Sequence, residues 1–410
     1  MNEHAGFTMI DLFCAPGGLT LGFEMAGFRS LAGVDMDKDG MKTYAANFPH
    51  ARAITADVTE LESAKLMKIA GIKRGEIDLI IGGPPCQGFS NIGRVKIASL
   101  VREGIWKLST ARPRFIDDPR NVLYREFVRI VHDLRPKFFV MENVPGMRSY
   151  RNGEIVGQIV ADFDKIGYRT QARVLNAVNY GVPQRRKRIF FIGTRLEGTG
   201  IPWPEPQNYD HETAGPTLEA FLDSDTGTGR NPPVTVWDAI GDLPDPVPGK
   251  PGLADRPLKY DKPPFSEYQE WARENSEMVH NHITRQHNER DVKVFSTMKE
   301  GTWWRDLPED IKKLYGYRDD IFHDKMKRLC RKEPSWTVVA HLYKDGYMYI
   351  HPTQARSITV REAARLQSFP DVFIFRGSRT AQFKQVGNAV PPLMARAVAA
   401  AVRSVLEKRY

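Results

Sequence analysis

The sequence predicts an α/β protein, because short apolar runs typical of buried strands alternate with segments of helical periodicity. The runs at residues 77–81 and 138–141 are two such strands, and residues 121–134 between them repeat apolar side chains at helical spacing. Several predicted strands also end in glycine, proline, cysteine or acidic residues. Because ligands of open α/β sheets lie beyond the carboxyl ends of the strands, these residues are candidates for a functional site.

Size and composition describe a globular protein that suits a polyanionic partner. The chain has 410 residues, 41% hydrophobic and 27% charged, which allows about two or three domains. No run approaches the roughly 18 apolar residues of a membrane span, the amino terminus lacks a signal-peptide pattern, and the three cysteines do not indicate a disulfide framework. We therefore expect an intracellular protein without a membrane partner. The net charge of +9 favours nucleic acid, although many basic proteins bind none.

The first predicted strand and helix enclose a glycine turn. Residues 7–13 are predicted as the strand, residues 14–18 (Cys-Ala-Pro-Gly-Gly) as the turn and residues 19–26 as the helix. Glycine lets a ligand approach the backbone, and the amino terminus of the helix favours anionic or polar groups. The pattern is not Gly-x-Gly-x-x-Gly, which argues against a dinucleotide.

Acidic residues follow the next two predicted strands. Asp35 ends the strand at residues 30–34, about 20 residues beyond the glycine turn, where a carboxylate can bind the hydroxyls of a ribose. Asp57 and Val58 follow a third strand and could contact an adenine edge. A solvated turn or a helix cap explains any one aspartate, but recurrence at successive strand ends favours a ligand.

Two further strand ends carry reactive groups. Residues 82–90 (Gly-Gly-Pro-Pro-Cys-Gln-Gly-Phe-Ser) form a rigid turn that would present Cys86 where ligands bind, although a small buried cysteine is the alternative. Glu142 closes the strand at residues 138–141. Poor solvation there should raise the pKa of its carboxyl toward a proton-donating state, and a capping or ion-paired glutamate is the alternative.

A run of cations precedes the strand predicted at residues 189–193. Residues 184–188 read Gln-Arg-Arg-Lys-Arg, and alternation into the strand would aim Arg186 and Arg188 to one side. Arginine there can hold a base carbonyl or a phosphate bidentately, although such runs are usually solvated.

The carboxyl-terminal half is less regular. Residues 201–262 are rich in proline, glycine and aspartate, and residues 280–332 combine basic residues with Trp303, Trp304, Tyr315 and Tyr317. That combination fits contact with a duplex, and core aromatics explain it nearly as well. The three histidines at positions 280, 282 and 287 do not predict a metal, since no cysteine or carboxylate has metal-site spacing.

Regular structure returns near the end of the chain. Residues 356–367 are predicted as a helix that Thr359 caps, with Glu362 at capping-box spacing. Residues 385–392 then open an alanine-rich helix to the carboxyl terminus.

Taken in order, these motifs resemble those of the cytosine-5 DNA methyltransferases of bacterial restriction-modification systems. The matching pieces are residues 11–22, Asp35, Asp57, residues 82–90, 142–144, 184–188, 356–370 and 387–392. Between residues 196 and 331 the match is loose, and the family carries its variable target-recognition domain there. One departure concerns the glycine turn, where the family usually has glycine in place of Ala15, followed here by Pro16.

The resemblance implies a Rossmann-like, S-adenosylmethionine-dependent methyltransferase sheet, with a smaller target-recognition domain across a DNA cleft. We expect a catalytic and cofactor-binding domain at residues 1–198 and a target-recognition domain at residues 199–352, variable over about 199–331. A hinge at residues 353–380 and a helix at residues 381–410 that returns to the catalytic domain complete the expected chain.

The resemblance also assigns residues to ligands. The implied cofactor is S-adenosylmethionine, and the residues carried over to it are Phe13, Gly17, Gly18, Asp35, Met36, Asp57, Val58, Pro85, Leu123, Asn388 and Ala389. The residues carried over to DNA are Gln87, Ser90, Arg356 and Arg361.

The implied activity is that of a DNA (cytosine-5-)-methyltransferase, which methylates carbon 5 of a flipped-out cytosine in a specific duplex sequence. Cys86 would add to carbon 6 of the ring as the nucleophile. Glu142 would protonate or hydrogen-bond ring nitrogen 3, while Arg186 and Arg188 hold the ring oxygen and the adjacent phosphate. Because the target base must leave the duplex, we expect residues 91–120 to form a mobile loop that closes over DNA.

Other functions stay open at this point. An RNA (tRNA) cytosine-5 methyltransferase shares the fold, but the Cys-Phe-Thr tripeptide of the tRNA-modifying branch is absent and the long recognition region favours DNA. An inactive DNA-binding module should have lost Cys86, Glu142 or an arginine, and a dehydrogenase lacks its glycine fingerprint. We expect a monomer in the bacterial cytoplasm, bound to double-stranded DNA of the nucleoid, with no metal and with a cognate restriction endonuclease that acts separately.

Overall fold

The computed structural model describes residues 6–85, 122–149, 153–208, 210, 231–315, 326–344 and 346–410. Cys86, Gln87, Ser90, Tyr317 and the loop predicted at residues 91–120 lie outside the described residues. The chain divides into two compact units. Unit 1 comprises Met1–Asn176, Lys187–Pro204 and Ala395–Tyr410, and unit 2 comprises Ala177–Arg186 and Glu205–Met394. The finer division into a target-recognition domain, a hinge and a returning helix stays a prediction.

Unit 1 is built on a seven-stranded sheet, counted over the described residues, in the order β3-β2-β1-β4-β5-β8-β6. Its strands are β1 (Thr8–Leu12), β2 (Arg29–Asp35), β3 (Arg52–Thr55), β4 (Leu79–Gly82), β5 (Phe138–Asn143), β6 (Arg169–Asn176) and β8 (Lys187–Thr194), and the short β7 (Gln184–Arg185) belongs to unit 2. Strands β1 to β5 pair in parallel, and β8 is antiparallel to both β5 and β6. The predicted α/β class and its mainly parallel sheet are confirmed.

Helices cover this sheet, and their apolar faces form its core. They are α1 (Gly18–Met25), α2 (Lys38–Asn47), α3 (Ser63–Ala70), α4 (Val122–Leu134), α5 (Gly146–Ser149) and α6 (Glu154–Lys165). The face predicted for α4 is buried at Phe127, Ile130, Val131 and Leu134. Aromatic stacking supports the same core, because the rings of Phe139 and Phe163 lie 3.8 Å apart.

The topology fixes where a ligand can enter unit 1. After β1 the chain adds β2 and β3 on one side, and it later returns to add β4 and β5 on the other side. The order therefore reverses between β1 and β4, and the carboxyl ends of those strands flank a crevice. A Cβ atom at Gly82 would lie 2.3 Å from the carbonyl oxygen of Leu12, so only glycine allows β4 to end this close to β1.

Unit 2 consists of short elements joined by long connections. Its helices are α7 (Val236–Ile240), α8 (Glu267–Arg273), α9 (Glu289–Thr297), α10 (Glu309–Lys312), α11 (Val360–Leu366) and α12 (Arg379–Asn388), and its further strands are β9 (Leu258–Lys259), β10 (Met278–Val279) and β11 (Ser335–Trp336). Thr359 caps α11 and completes a capping box with Glu362, as predicted. Trp304 is 1% exposed within an apolar cluster, which supports the core interpretation for that aromatic residue.

The carboxyl-terminal segment differs from the single helix that the sequence predicted. It forms α12 and then α13 (Pro392–Glu407), because Pro391 and Pro392 lack the N–H groups that would continue the first helix. The stretch Arg379–Glu407 reaches the length and mean hydropathy (1.3) of a membrane span, which the sequence argument did not anticipate. However, 56% of its most apolar window is buried inside the protein, as is common for a core helix.

Candidate active site

An ion pair stands at the carboxyl end of β5. The Nε atom of Arg188 lies 2.9 Å from Oε1 of Glu142, and the two side chains are 14% and 12% exposed. Strand register explains the meeting, because β8 runs antiparallel to β5 and pairs Ile189 with Asn143. Burial lowers the pKa of Arg188, and the charge of Glu142 opposes that shift.

The ion pair bears on the proton-donor argument made from the sequence. Burial alone would favour the protonated carboxyl of Glu142. Because the guanidinium of Arg188 lies 2.9 Å away, it favours the charged carboxylate instead. The ion-paired alternative therefore describes Glu142 in this state of the protein. A partly exposed Glu–Arg pair can still exchange hydrogen bonds with a polar ring that enters the crevice.

The turn after β4 is tied to the end of β5 by Asn143. Its Nδ2 donates to the carbonyl of Pro84 at 2.9 Å, and its Oδ1 accepts from the N–H of Val144 at 2.8 Å. A Cβ atom at Gly83 would lie 3.2 Å from Oε2 of Glu142. The Gly-Gly-Pro-Pro turn thus passes directly beside Glu142. Sequence reasoning gave Asn143 no role, although a polar residue at the end of a buried strand was the available signal.

Pro85 is exposed, and it is the last described residue before Cys86. The described backbone therefore leads to the predicted nucleophile from a turn that is anchored beside Glu142. The position of Cys86 itself lies outside the described residues.

Arg186 and Arg188 have different surroundings, although the sequence placed them side by side. Arg186 belongs to unit 2, is 1% exposed, and donates to the carbonyls of Val338, Gly387 and Ala389 at 2.5, 3.1 and 3.0 Å. Arg188 belongs to unit 1 and faces Glu142. The ladder is interrupted at Arg186, between β7 and β8, so the regular alternation assumed for this stretch does not apply.

The glycine turn after β1 has an unusual backbone. Phe13 adopts a φ of 61°, which is uncommon for a bulky residue and concentrates at functional sites. Gly17 adopts a φ of 110°, and a Cβ atom there would lie 2.4 Å from the ring of Phe48. Gly18 is buried and begins α1. The rings of Phe48 and Tyr44 therefore leave no room for a side chain at Gly17.

The structure accommodates the departure at Ala15. A Cβ atom at Gly40 would lie only 2.5 Å from the Cβ of Ala15, so the extra methyl group occupies space left by a second glycine. The N–H of Ala15 also donates to Oδ2 of Asp35 at 3.3 Å. Ala15, the residue that departs from the family pattern, thus links the glycine turn to Asp35 at the end of β2.

The predicted ribose and adenine residues follow β2 and β3. Asp35 ends β2, its Oδ1 accepts from the N–H of Asp37 at 2.7 Å, and burial raises the pKa of its carboxyl. Met36 beside it is 69% exposed, although it is a large apolar side chain. Asp57 accepts from the N–H and hydroxyl of Thr59, and the neighbouring Val58 is buried.

A buried polar network that sequence reasoning missed lies beneath α1. Thr20 donates to Oδ2 of Asp11 at 2.6 Å, and the hydroxyls of Tyr44 and Ser30 lie 2.9 Å apart. Asp11 is 1% exposed, and burial raises the pKa of its carboxyl to about 8. An aspartate in the middle of an apolar strand was the signal for this network.

The remaining predicted residues lie elsewhere. Leu123 is half-buried near the start of α4, whereas Asn388 and Ala389 follow one another in unit 2 at the end of α12. Arg356 pairs with both carboxylate oxygens of Glu362 at 2.8 and 2.6 Å. Arg361 is fully buried and donates to three backbone carbonyls, those of His280, Pro370 and Phe373.

Both guanidinium groups are thus used inside unit 2, which leaves the predicted DNA contacts of Arg356 and Arg361 without support. Within the described ranges, no three histidine, cysteine or acidic side chains group as a metal site would require. His282 instead contacts the hydroxyl of Thr359 and the carbonyl of Pro244, both at 2.8 Å.

Comparison with known proteins places this site in a family. The family model of the C-5 cytosine-specific DNA methylases matches residues 7–404 of this chain. The type II methyltransferase M.AgeI of Thalassovita gelatinovora is 34% identical, over 96% of this chain and 98% of its own length. The type II methyltransferase M1.HphI of Haemophilus parahaemolyticus is 37% identical, over 96% of this chain and 86% of its own length.

A solved structure agrees with this assignment. A protein assigned as a DNA modification methyltransferase encoded within a prophage (E. coli) superimposes with a TM-score of 0.71 at 27% identity, covering 98% of this chain and 99% of its own. The match to the family runs through β1 to α13 and so includes every element of the site described above. The chain belongs to the C-5 cytosine-specific DNA methylase family and is a DNA cytosine-5 methyltransferase.

Proposed function

We propose that this enzyme transfers the methyl group of S-adenosylmethionine to carbon 5 of a cytosine flipped out of duplex DNA, with Cys86 as the nucleophile. The observation that carries the proposal is the Glu142–Arg188 pair, which lies beside the Gly-Gly-Pro-Pro turn that leads to Cys86. A thiolate, a carboxylate and a guanidinium are the groups that activation of a pyrimidine ring requires.

The residues at the carboxyl ends of β1, β2 and β3 fit S-adenosylmethionine. The backbone at Gly17 has no room for a side chain, and the buried Gly18 follows it, which suits close approach of a ligand. Asp35 stands at the strand end next to the switch point, where a carboxylate can accept from ribose hydroxyls. Met36 offers an exposed apolar surface for an adenine ring. When bound, the cofactor supplies an electrophilic methyl group.

Asp57, Val58, Phe13, Pro85 and Leu123 would complete the cofactor pocket in unit 1. Asn388 and Ala389 are assigned to the same cofactor by family resemblance. The Gly387–Ala389 turn that carries them is held by Arg186 through two hydrogen bonds. We therefore propose that Arg186 acts as a positioning residue for this turn, rather than contacting the cytosine.

The protein groups act on the cytosine in a defined order. The Cys86 thiolate adds to carbon 6, which breaks the aromaticity of the ring and loads electron density onto carbon 5. Glu142 hydrogen-bonds or protonates ring nitrogen 3, and Arg188 stabilises charge at the ring oxygen. After carbon 5 is methylated, loss of its proton expels Cys86 and restores the aromatic ring.

The biological setting follows from relatives rather than from geometry. Type II methyltransferases similar over most of their length support a role in a bacterial restriction-modification system. In that setting the enzyme acts as a monomer on cytoplasmic, nucleoid DNA, and a cognate endonuclease works separately. Gln87 and Ser90 follow the nucleophile in the sequence, and we propose that they contact the DNA.

The test measures transfer of labelled methyl groups from S-adenosylmethionine to mixed-sequence duplex DNA and, in parallel, to total tRNA. Wild type and Cys86→Ser are compared, and the DNA product is sequenced after bisulfite treatment. Label in DNA that disappears in the variant supports the proposal and identifies the target sequence. Label in tRNA alone would contradict the DNA substrate, and label in neither, with cofactor still bound, would contradict catalysis.

A further inference from the structure

A pocket of about 360 Å³ lies at the edge of the sheet in unit 1. Its walls combine an aliphatic floor with two arginines. The lining residues are Arg148, Val156, Ala172, Arg173, Val174 and Ile189. Three of them belong to β6, which is the outermost strand of the described sheet. The pocket therefore lies at the edge of the described sheet.

Strand register links this pocket to the active site. Arg173 lies opposite Phe190, and Phe190 lies opposite Glu142. Neighbouring strands are spaced by about 4.8 Å, so the Cα atoms of Arg173 and Glu142 are about 10 Å apart. Ile189 adjoins Arg188 in sequence, and Arg148 belongs to α5, which directly follows β5. Both arginines thus stand close to the strand ends that carry the predicted chemistry.

The two arginines keep their charge available. Both side chains are exposed, and among the described residues neither takes part in an ion pair. The guanidinium of Arg173 lies 5.0 Å from the ring of Trp203, whose Nε1 donates to Oε1 of Gln171 at 3.0 Å. A guanidinium that packs over an aromatic ring can still donate from its edge N–H groups to an anion. The guanidinium groups of Arg356 and Arg361, by contrast, already bond to a carboxylate and to carbonyls within unit 2.

We propose that Arg148 and Arg173 bind a phosphodiester of the substrate DNA two to four nucleotides from the flipped cytosine. A separation of about 10 Å corresponds to about three nucleotides of rise on one strand. Guanidinium groups recognise phosphate bidentately, and the aliphatic floor suits the adjoining deoxyribose. The subsite would hold the backbone in register while the target base is out of the stack. This inference rests on the proposed function.

The test compares two double variants that remove the same charge. Arg148→Ala/Arg173→Ala deletes the subsite. Arg29→Ala/Arg52→Ala is the control, because Arg29 and Arg52 are exposed at the amino ends of β2 and β3, at the opposite edge of the sheet. Binding of a duplex that carries the target sequence is measured against salt concentration.

We expect the subsite variant to reduce the slope of log K against log [salt] by about 1 for each arginine, and the control to leave it unchanged. The affinity of the subsite variant at low salt should fall by on the order of tenfold or more. The control variant should keep the wild-type rate of single-turnover methylation at saturating DNA, because Arg29 and Arg52 lie toward the opposite edge of the described sheet.

A second measurement locates the phosphate. Duplexes with one neutral methylphosphonate at each position near the target are bound to wild type and to the subsite variant. Wild type should lose affinity at a position two to four nucleotides from the cytosine, and the subsite variant should show no further loss there.

Three results would overturn the inference. The subsite variant could keep the wild-type salt slope, it could match the control variant, or it could stay sensitive to the same methylphosphonate as wild type. A wild type that binds but never methylates DNA would instead overturn the proposed function, and the subsite with it. Methylation by wild type therefore separates the two failures.

Discussion

Arginine–carboxylate pairs occur in both units, but they differ in exposure. In unit 1, Nε of Arg188 lies 2.9 Å from Oε1 of Glu142, and 14% and 12% of the two side chains are exposed. In unit 2, Arg365 is fully buried and bonds Asp371 through two nitrogens at 2.7 and 2.6 Å, besides Asp242 at 3.2 Å. The first pair is open to a ligand, whereas the second is closed by its own chain.

The difference teaches that the presence of an arginine does not decide its role. A fully buried guanidinium that bonds carboxylates and carbonyls stabilises the fold. Removing either partner of such a buried ion pair would leave an uncompensated charge. A partly exposed pair at a strand end can change partners when a substrate arrives. By this criterion Arg356, Arg361 and Arg186 have structural roles, and Arg188 has a role in catalysis.

The largest expected contrast is between two glutamates that each pair with arginine. Glu142→Gln should lower kcat/KM for methyl transfer by about 10²–10⁴, as loss of a proton-transfer group does, with little change in the free energy of unfolding. Glu362→Gln should cost about 3–5 kcal/mol of stability, because Arg356 is left buried without its charge partner. Methylation kinetics and urea unfolding of both variants measure this.

A Glu362→Gln variant that kept its stability and lost activity as severely as Glu142→Gln would break the comparison. Glu362→Asp serves as a control, since it retains the charge at position 362 and should recover part of the lost stability.

The arginines should show the same contrast in stability. Arg365→Met should cost about 3–5 kcal/mol, since Asp371 and Asp242 would stay buried without their cation. Arg188→Met should cost less, about 1–3 kcal/mol, because 12% of the Glu142 side chain stays exposed. Denaturant midpoints of the two purified variants test this, and equal losses would show that exposure does not separate the pairs.

Much of unit 1 could be predicted from the sequence because its signals are local. Apolar runs located β1, β4 and β5, and helical periodicity located α4. In unit 2, the local capping pattern at Thr359 likewise located α11. The partners of arginines could not be predicted, since Arg186 meets Gly387 and Val338 far along the chain. For the same reason, the close approach of Ala15 to Gly40 and the hydrogen bond from Asn143 to the turn at Pro84 could not be predicted, since their partners are distant in sequence.

The two units should also respond to pH with opposite sign. Burial lowers the pKa of His282 in unit 2 to about 4, so the unfolded chain takes up that proton first as the pH falls. The stability that neutral His282 allows is full above about pH 6.5 and declines toward pH 4, by at most about 3 kcal/mol. Burial raises the pKa of Asp11 in unit 1 to about 8, so its contribution instead declines as the pH rises from about 4 to 8.

Unfolding free energies of wild type, His282→Asn and Asp11→Asn between pH 4 and pH 8 measure this. Relative to wild type, His282→Asn should flatten the loss on the acid side, and Asp11→Asn should flatten the loss toward pH 8. Identical pH profiles for all three proteins would contradict the assignment.

The last prediction concerns the cofactor turn. Gly40→Ala should cost about 1–3 kcal/mol, because its new methyl group would meet Ala15 at 2.5 Å, and it should weaken binding of S-adenosylmethionine. Ala15→Gly combined with Gly40→Ala should restore both, since one methyl group replaces the other. A double variant no better than Gly40→Ala would show that the two positions are not coupled.

The most direct test of the central claim traps the enzyme on its substrate. Fluorine at carbon 5 of the target cytosine cannot leave as a proton, so the bond from Cys86 to carbon 6 should persist after methylation. We predict a complex of chain and duplex that survives denaturation, forms only with S-adenosylmethionine, forms more slowly with Glu142→Gln, and is absent with Cys86→Ser. A covalent complex that still forms with Cys86→Ser, or methylated DNA from that variant, would contradict the assignment of the nucleophile.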